Sequence, residues 1–239
     1  MTVQLTIATV APKLFNPNGD SENARVLARR CEWSGIAARV VEVASVGDLP
    51  GRVDAFVIGS CSDSDISAAL AVLHALRSPL SDAVDAGVPV LAVGTGLELL
   101  TDEVTTPTAT HDGLALVSGS ASARVTRATG DLVVDSGFGR LVGYENHARD
   151  LDLQSDPLGR VVAGSGNGDG REGVAAGSLF GTHLHGPVLA KNPALADHLL
   201  GLAARRADIE YHPSGVAGVA DRYAADARRA ILDSLKLGE

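Results

Sequence analysis

The chain has 239 residues, of which 45% are hydrophobic and 3% aromatic, and its formal net charge is −9. This length suits one large domain, or a domain with a short appendage, whose core is built mainly from aliphatic side chains. The acidic balance argues against nonspecific nucleic-acid binding, which needs a basic surface, and no apolar run reaches the ~20 residues of a membrane-spanning helix.

The number of cysteines and the first five residues argue against a disulfide-rich, metal-binding or secreted protein. Cys31 and Cys61 are the two cysteines, too few for a disulfide framework, and the sequence has no C-x-x-C or His/Cys metal spacing. We therefore expect no metal and no cofactor. Residues 1–5 lack the charged and apolar regions of a signal peptide, so we expect a cytoplasmic protein without membrane insertion.

The first 93 residues alternate between strand and helix patterns. Apolar runs predict strands at 3–10, 38–43, 54–59 and 88–93, and helical spacing predicts helices at 22–34, 66–76 and 80–86. In the first helix Val26, Leu27 and Cys31 form the apolar face, and Arg25, Arg29 and Arg30 are expected in solvent. Such β-α-β alternation predicts an α/β fold in which a parallel sheet is covered by helices on both faces.

The middle of the chain has a different pattern. Short apolar runs at 114–117, 123–126, 131–134 and 141–142 are separated by Gly, Ser and Asp, and we predict that they are antiparallel strands extending the sheet. Beyond a glycine-rich loop at 167–173, helices are predicted at 192–206 and 222–237. We therefore divide the chain into a domain at 1–206 and a C-terminal linker and helix at 207–239.

The segment P-V-L-A-V-G-T-G-L-E-L-L at 89–100 predicts a buried strand, a tight turn and the start of a helix. Such an elbow exposes its apex residue above a parallel sheet, beside the helix N-terminus. A Cys at the apex would be reactive, because the helix N-terminus favours the thiolate. The apex here is Gly94, so the chain has the scaffold of a nucleophilic enzyme without the nucleophile.

Four other segments carry a family resemblance. They are N-G-D-S-E-N at 18–23, G-Y-E-N-H at 143–147, G-N-G-D-G-R-E-G at 166–173 and G-T-H-L-H-G-P-V-L-A-K-N-P at 181–193. They resemble segments of class I glutamine amidotransferases of the CobB/CobQ type, and their order is most similar to that of the GatD branch. The resemblance runs from about residue 5 to residue 200. It implies a three-layer, flavodoxin-like α/β domain with a mostly parallel central sheet.

The resemblance also implies a reaction and a partner. In the GatD branch a Cys–His pair hydrolyses glutamine and passes ammonia to MurT, a Mur-ligase-like subunit of the heterodimer. MurT uses ATP to amidate D-glutamate in the lipid II stem peptide. By position, the resemblance assigns the catalytic histidine to His185 and the lost nucleophile to Gly94. It assigns a glutamine-binding arginine to Arg127, in the segment R-A-T-G-D at 127–131.

The chain departs from the family pattern around the elbow. Glu98 replaces an amide residue near the expected position of a zwitterionic glutamine. The segment G-S-C-S-D-S-D at 59–65 lacks the basic and amide residues of the family's oxyanion segment. His183 stands where the family often has Tyr, and we expect it to be a packing substitution. These changes, together with Gly94, predict a relaxed demand for glutaminase chemistry.

We therefore expect a GatD-like subunit that acts with a MurT-like ligase in peptidoglycan synthesis but is defective as a glutaminase. Its function as an enzyme stays open, because the chain could instead be a scaffolding or regulatory pseudoenzyme that binds glutamine or a related metabolite. It could also support the use of free ammonia or another small amine, such as glycine, or hydrolyse glutamine through Cys61 or Thr95. A cobyric-acid-type role is disfavoured, since the chain has no G-x-x-x-x-G-K-[ST] loop.

Two of the assigned residues have simpler alternatives. His185 is either an acid–base group or, without a nucleophile beside it, a binding or structural histidine. Arg127 either binds a carboxylate through its planar fork or is a solvated arginine at a strand edge.

Overall fold

The computed structural model describes residues 4–238. Its first half contains β1 Gln4–Val10, α1 Glu22–Trp33, β2 Ala37–Val43, β3 Ala55–Ile58, α2 Ile66–Ala75, α3 Arg77–Asp85, β4 Val90–Val93 and α4 Thr95–Glu98. The strands that follow are β5 Glu103–Thr105, β6 Thr110–Asp112, β7 Gly119–Ser136, β8 Gly139–Leu153, β9 Gly159–Ala163, β10 Arg171–Glu172, β11 Val174–Ala176 and β12 Leu179–Thr182. The last helices are α5 Val188–Lys191, α6 Pro193–Arg206 and α7 Gly218–Ser234.

The central sheet has six strands in the order β11-β12-β4-β3-β1-β2. All neighbouring pairs are parallel except β11 with β12, which form an antiparallel edge. Successive side chains of a strand point to opposite faces, so Leu5 and Ile7 pack on the side of α1 and α6, whereas Ala8 and Val10 pack on the side of α2 and α3. Helices therefore cover both faces, and the predicted α/β fold with a mostly parallel central sheet is confirmed. The predicted strand at 3–10 is observed from Gln4, and Val3 lies outside the described residues.

The middle of the chain builds a second sheet, so the prediction that it extends the first sheet is wrong. β8 lies along one edge of the long strand β7, while β9 and β5 pair with opposite ends of its other edge. The runs at 123–126 and 131–134 belong to β7, the run at 141–142 belongs to β8, and residues 114–117 form an irregular connection. Local apolar runs indicated strands but could not show which sheet they join, because strand partners are set by long-range packing.

A short contact joins the two sheets at the site described below. Tyr144 of β8 and His185 form an isolated antiparallel bridge, in which the backbone N–H of His185 donates to the carbonyl of Tyr144 at 2.8 Å. This bridge brings the segment after β12 against the middle of β8. Residues from both sheets therefore meet at the carboxyl ends of the parallel strands.

The last helix packs on the second sheet. It spans Gly218–Ser234, whereas the sequence pattern predicted 222–237, and Leu232 is buried against Val133 and Val142 of the second sheet. Arg30 of α1, expected in solvent, is instead 3% exposed and ion-paired to Asp197 of α6 and Asp221 of α7. In the described part of the chain, residues 4–238, none of the helices combines the length and apolar character that a bilayer crossing requires.

Candidate functional site

The predicted elbow is present at the carboxyl end of β4. Gly94 joins β4 to the four-residue helix α4 with φ 55° and ψ −125°, a conformation that L side chains rarely adopt. Its N–H donates to the carbonyl of Thr182 at 2.8 Å, and its carbonyl accepts from Leu97 N–H at 2.9 Å. The apex backbone is thus held between β12 and the first turn of α4.

His185 lies directly against this apex. A Cβ atom on Gly94 would lie 2.5 Å from Cε1 of His185, 3.1 Å from its Nε2 and 3.1 Å from Cβ of Ser60. His185 is completely buried, and its Nε2 has no hydrogen-bond partner among the described residues. The structure therefore brings together the two positions that the resemblance assigned to the catalytic pair. The imidazole, however, fills the space that a nucleophilic side chain would need.

Asp20 holds the imidazole in this place. Its carboxylate oxygens lie 3.0 and 3.1 Å from Nδ1 of His185, and the hydroxyl of Ser60 donates to the same carboxylate. The Tyr144 ring packs against the imidazole with 5.3 Å between ring centroids. Sequence reasoning gave Asp20 no role, although it lies in the matched segment at 18–23. An Asp–His pair orients the imidazole, but no group at position 94 can receive or lose a proton.

Neither alternative nucleophile is activated. Burial, followed by the charge of Glu98, raises the pKa of the Cys61 thiol to about 12, so the thiol stays protonated at neutral pH. The hydroxyl of Thr95 donates to the carbonyl of Cys61 at 3.0 Å and holds the loop after β3. Both residues thus serve the packing of the elbow.

A buried ion-pair network lies next to the elbow. Glu98 accepts a hydrogen bond from Nε of Arg149, and its other oxygen lies 3.7 Å from Nε2 of His183. Nδ1 of His183 faces Glu172 at 3.4 Å, and Nη2 of Arg149 donates to Asp63 at 2.6 Å. Glu98, Arg149 and His183 are at most 1% exposed. Glu98, expected near the position of a glutamine ligand, is thus paired within the interior, and His183, expected to be a packing substitution, carries ion-pair contacts as well.

The network sets the charges of its members. Burial opposes ionisation of Glu98, but pairing with His183 and Arg149 outweighs it and lowers the pKa of Glu98 to about 2. Burial also disfavours the charged form of His183, but Glu172 and Glu98 outweigh it and raise the pKa of His183 to about 9. His183 is therefore an imidazolium at neutral pH. Glu98 and His183, both expected departures from the family pattern, therefore form one ion pair.

Glu98, His147 and His183 could in principle hold a metal ion, since one ligand atom from each lies within 4.8 Å of the others. The geometry does not suit this. Both ring nitrogens of His147 already face oxygen atoms, of Arg149 at 2.7 Å and Glu145 at 3.1 Å. The two imidazoles are stacked at 4.0 Å and 23°, so their in-plane lone pairs run nearly parallel instead of converging on one ion. Glu98 is also committed to Arg149.

A cavity of about 340 Å³ opens beside the elbow. Its polar lining includes Asn18, Ser62, Thr95, Arg127, Asn146 and Arg149, and neither Gly94 nor His185 is among its described lining residues. Arg127 is about half exposed at this cavity. It donates to the carbonyl and the side chain of Asn146 at 3.1 and 2.8 Å, and to Asp63 at 3.3 Å. Arg127 thus lines the same cavity as Thr95, the residue that follows Gly94.

Comparison with known proteins identifies the family. Residues 6–193 match the model of the CobB/CobQ-like glutamine amidotransferase domain. The chain is 32% identical to the lipid II isoglutaminyl synthase (glutamine-hydrolyzing) subunit GatD of Staphylococcus aureus strain N315, with 96% of each chain covered. It is 30% identical to the subunit of the same name from Streptococcus pneumoniae strain ATCC BAA-255 / R6, with 85% of this chain and 82% of that one covered.

Solved structures agree at the level of the fold. A crystal structure of a glutamine amidotransferase superposes with a TM-score of 0.55 at 20% identity, over 82% of this chain and 98% of that one. The fold is therefore that of the class I glutamine amidotransferases. With the family model and the two relatives, this shows that the chain belongs to the CobB/CobQ-like glutamine amidotransferase family.

Proposed function

We propose that this chain is the amidotransferase-fold subunit of a lipid II-amidating synthase and that it does not itself hydrolyse glutamine. Two relatives named as GatD subunits of lipid II isoglutaminyl synthase, one of them aligned over 96% of the chain, support the role as a subunit. The partner in this proposal is a MurT-like ligase, in a heterodimer, that activates the carboxyl group of D-glutamate with ATP.

One observation carries the catalytic part of the proposal. Covalent hydrolysis of glutamine needs a thiolate that attacks the side-chain carboxamide, and position 94 has no side chain. The imidazole of His185 fills the place of a Cβ atom there, and the Cys61 thiol is kept protonated by its raised pKa. In this proposal the subunit supports the ligase, and the nitrogen comes from free ammonia or another small amine.

The test is amidation of lipid II by the reconstituted heterodimer, with either L-glutamine or ammonium chloride as the nitrogen source. We expect product with ammonium and none with glutamine, and more product than the ligase gives alone. The variants Gly94→Cys and Cys61→Ala are assayed in parallel, together with ammonia release from glutamine. We expect Gly94→Cys to stay silent, because His185 must leave its place before a thiol can reach a ligand.

Two outcomes would contradict the proposal. Glutamine-dependent product that disappears in Cys61→Ala would identify a relocated nucleophile. Failure of the chain to raise amidation with any nitrogen source would favour the second candidate, a scaffolding or regulatory pseudoenzyme. The observation that favours this second candidate is the cavity of about 340 Å³ at Arg127, whose described lining includes neither Gly94 nor His185.

A further inference from the structure

Helix α7 exposes an apolar face to solvent, although the helix packs on the second sheet through Leu232. Tyr223 is 73% exposed, Val219 is 51% exposed, and Val216, in the short turn before the helix, is 63% exposed. These are three of the five large apolar side chains that are exposed within the described residues 4–238. Apolar residues that gather on one face, unlike those scattered singly, indicate a surface that a partner covers.

The apolar face continues along the helix as a stripe. At about 3.6 residues per turn, Val219, Tyr223, Ala227 and Ala230 lie on one side of α7, and all four are exposed. The buried Leu232 lies on the opposite side of the helix. The stripe is therefore turned away from the second sheet, and its two alanines leave room for another helix to approach closely.

A row of alternating charges runs beside the stripe. It consists of the exposed residues Arg222, Asp226, Arg229 and Asp233. A second copy of α7 laid antiparallel places Arg222 opposite Asp233. The same register places Asp226 opposite Arg229, because both pairs are centred midway between positions 227 and 228. One two-fold axis perpendicular to the helices therefore matches opposite charges along the whole row, and such flanking charges set the partner and orientation of a helix pair.

The apolar stripe fits this register as well. Position 223 of one copy is level with position 232 of the other, so Tyr223 lies within about 3 Å, along the axis, of Ala230. Ala227 faces its own counterpart near the two-fold axis, so the largest side chain of the stripe meets small ones. We propose that this face of α7 is the contact surface of a symmetric dimer of the chain, in which two copies of α7 pack antiparallel. The inference goes beyond the proposed function and does not depend on it.

The first test is sedimentation equilibrium of the full chain without a ligase, at concentrations from about 10 to 500 µM. Because one helix pair is a small interface, we expect a weak dimer whose fraction rises with concentration. Tyr223→Lys places a charge in the stripe and should weaken the dimer about tenfold or more. The matched control Val125→Lys changes a fully exposed apolar residue of β7 and should leave the dimer unaltered.

Mixing two charge variants tests the register. In a dimer of Arg222→Glu the new carboxylates face Asp233, and in a dimer of Asp233→Arg the new guanidiniums face Arg222, so each variant alone should dimerise about fivefold or more weakly. A 1:1 mixture of the two variants forms opposite-charge pairs at both places and should regain the dimer. The two positions are eleven residues and about 16 Å apart in one helix, so this regain cannot arise from pairing within a chain.

The proposal is overturned if the chain stays monomeric up to about 500 µM, if Tyr223→Lys leaves the dimer as strong as before, or if the mixture regains nothing. A chain that is monomeric alone, but whose Tyr223→Lys variant no longer binds a MurT-like ligase, would assign this face to the ligase instead. Circular-dichroism melting of each variant separates a weaker contact from a loss of folding. These readouts involve no turnover, so they are independent of the amidation assay.

Discussion

Cε1 of His185 lies 2.5 Å from the position that a Cβ atom on Gly94 would take. A side chain at position 94 is therefore incompatible with the present placement of the imidazole. Asp20 holds the imidazole through Nδ1, and the hydroxyl of Ser60 in turn donates to Asp20. The histidine that the resemblance assigned to a catalytic pair is therefore completely buried and packed against the apex glycine.

This relationship predicts that Gly94→Ala destabilises the protein. The new methyl group would meet the imidazole of a completely buried histidine, and the backbone at φ 55° and ψ −125° is strained for any L side chain. The expected loss in the free energy of unfolding is about 1–3 kcal/mol, measured by urea denaturation.

Two controls separate the steric cause from the backbone cause. Gly137→Ala adds a methyl group where no atom lies within 4 Å, so it should change stability by less than about 0.5 kcal/mol. The loss from Gly94→Ala should shrink when it is made in a His185→Ala background, since the clash is then absent. An equal loss in both backgrounds would show that His185 does not fill the apex.

The cysteines should be unreactive in the folded protein. Burial is the main reason that the thiols of Cys31 and Cys61 have pKa values raised to about 12. At pH 8 we expect an aromatic disulfide reagent to modify both thiols in urea and neither within minutes in native buffer. Rapid native labelling of Cys61, mapped by peptide mass spectrometry, would contradict this and would reopen the possibility of a relocated nucleophile.

The parallel half of the fold was predictable because its signals are local. The buried strand before Gly94 and the amphipathic helix at Glu22–Trp33 follow from apolar runs and helical spacing, which need no knowledge of distant residues. The strand–turn–helix elbow and the glycine at its apex could be predicted for the same reason. Its short helix, Thr95–Glu98, begins at the residue that follows Gly94.

Pairings between distant segments were not predictable in this way. Arg30 looks like a solvated residue within its own helix, and only the docking of α6 and α7 buries it. Glu98 and His183 looked like unrelated departures from the family pattern, and only the fold places them 3.7 Å apart. Asp20 lay in a matched segment, but its contact with His185 spans 165 residues of sequence. Burial of charged groups depends on long-range packing, which a local pattern does not contain.

The Glu98–His183 pair predicts how stability depends on pH. The folded pKa of His183, about 9, lies above its ordinary 6.5, so its contribution is full below pH 6.5 and is lost as the pH rises through 9. The folded pKa of Glu98, about 2, lies below its ordinary 4.5, so its contribution is full above pH 4.5 and is lost as the pH falls towards 2. Urea denaturation should therefore show a maximum between about pH 4.5 and 6.5.

A double variant isolates this pair from the other titrating groups. His183→Gln combined with Glu98→Gln replaces both charged side chains by neutral ones of similar size. The difference in unfolding free energy between pH 6.5 and 9, expected to be on the order of 1–3 kcal/mol, should then largely disappear. If the double variant keeps the full alkaline decline, the decline arises elsewhere and His183 is not the group responsible.

We expect Arg30 to stabilise the packing of helix α7, in the C-terminal segment 207–239, against the rest of the protein. Its guanidinium donates two hydrogen bonds to Asp197 of α6, each at 2.8 Å, and another to Asp221 of α7 at 2.7 Å, from a side chain that is 4% exposed. Burial disfavours its charge, but the two aspartates outweigh burial and raise the pKa of Arg30. We therefore propose that this residue fastens α7 to the domain at 1–206.

Asp221→Asn removes one of the charges that Arg30 needs and should lower the unfolding free energy by about 1–3 kcal/mol. Limited proteolysis should then cut between α6 and α7 at protease levels that leave the unmodified protein intact. The matched control is Asp226→Asn on the same helix, whose exposed carboxylate lies 3.6 Å from Nη1 of its near neighbour Arg229. Its loss should cost less than about 0.5 kcal/mol. Equal effects of the two variants would mean that α7 is held by Leu232 and its apolar neighbours alone, because Asp221 contacts the buried guanidinium and Asp226 does not pair with it.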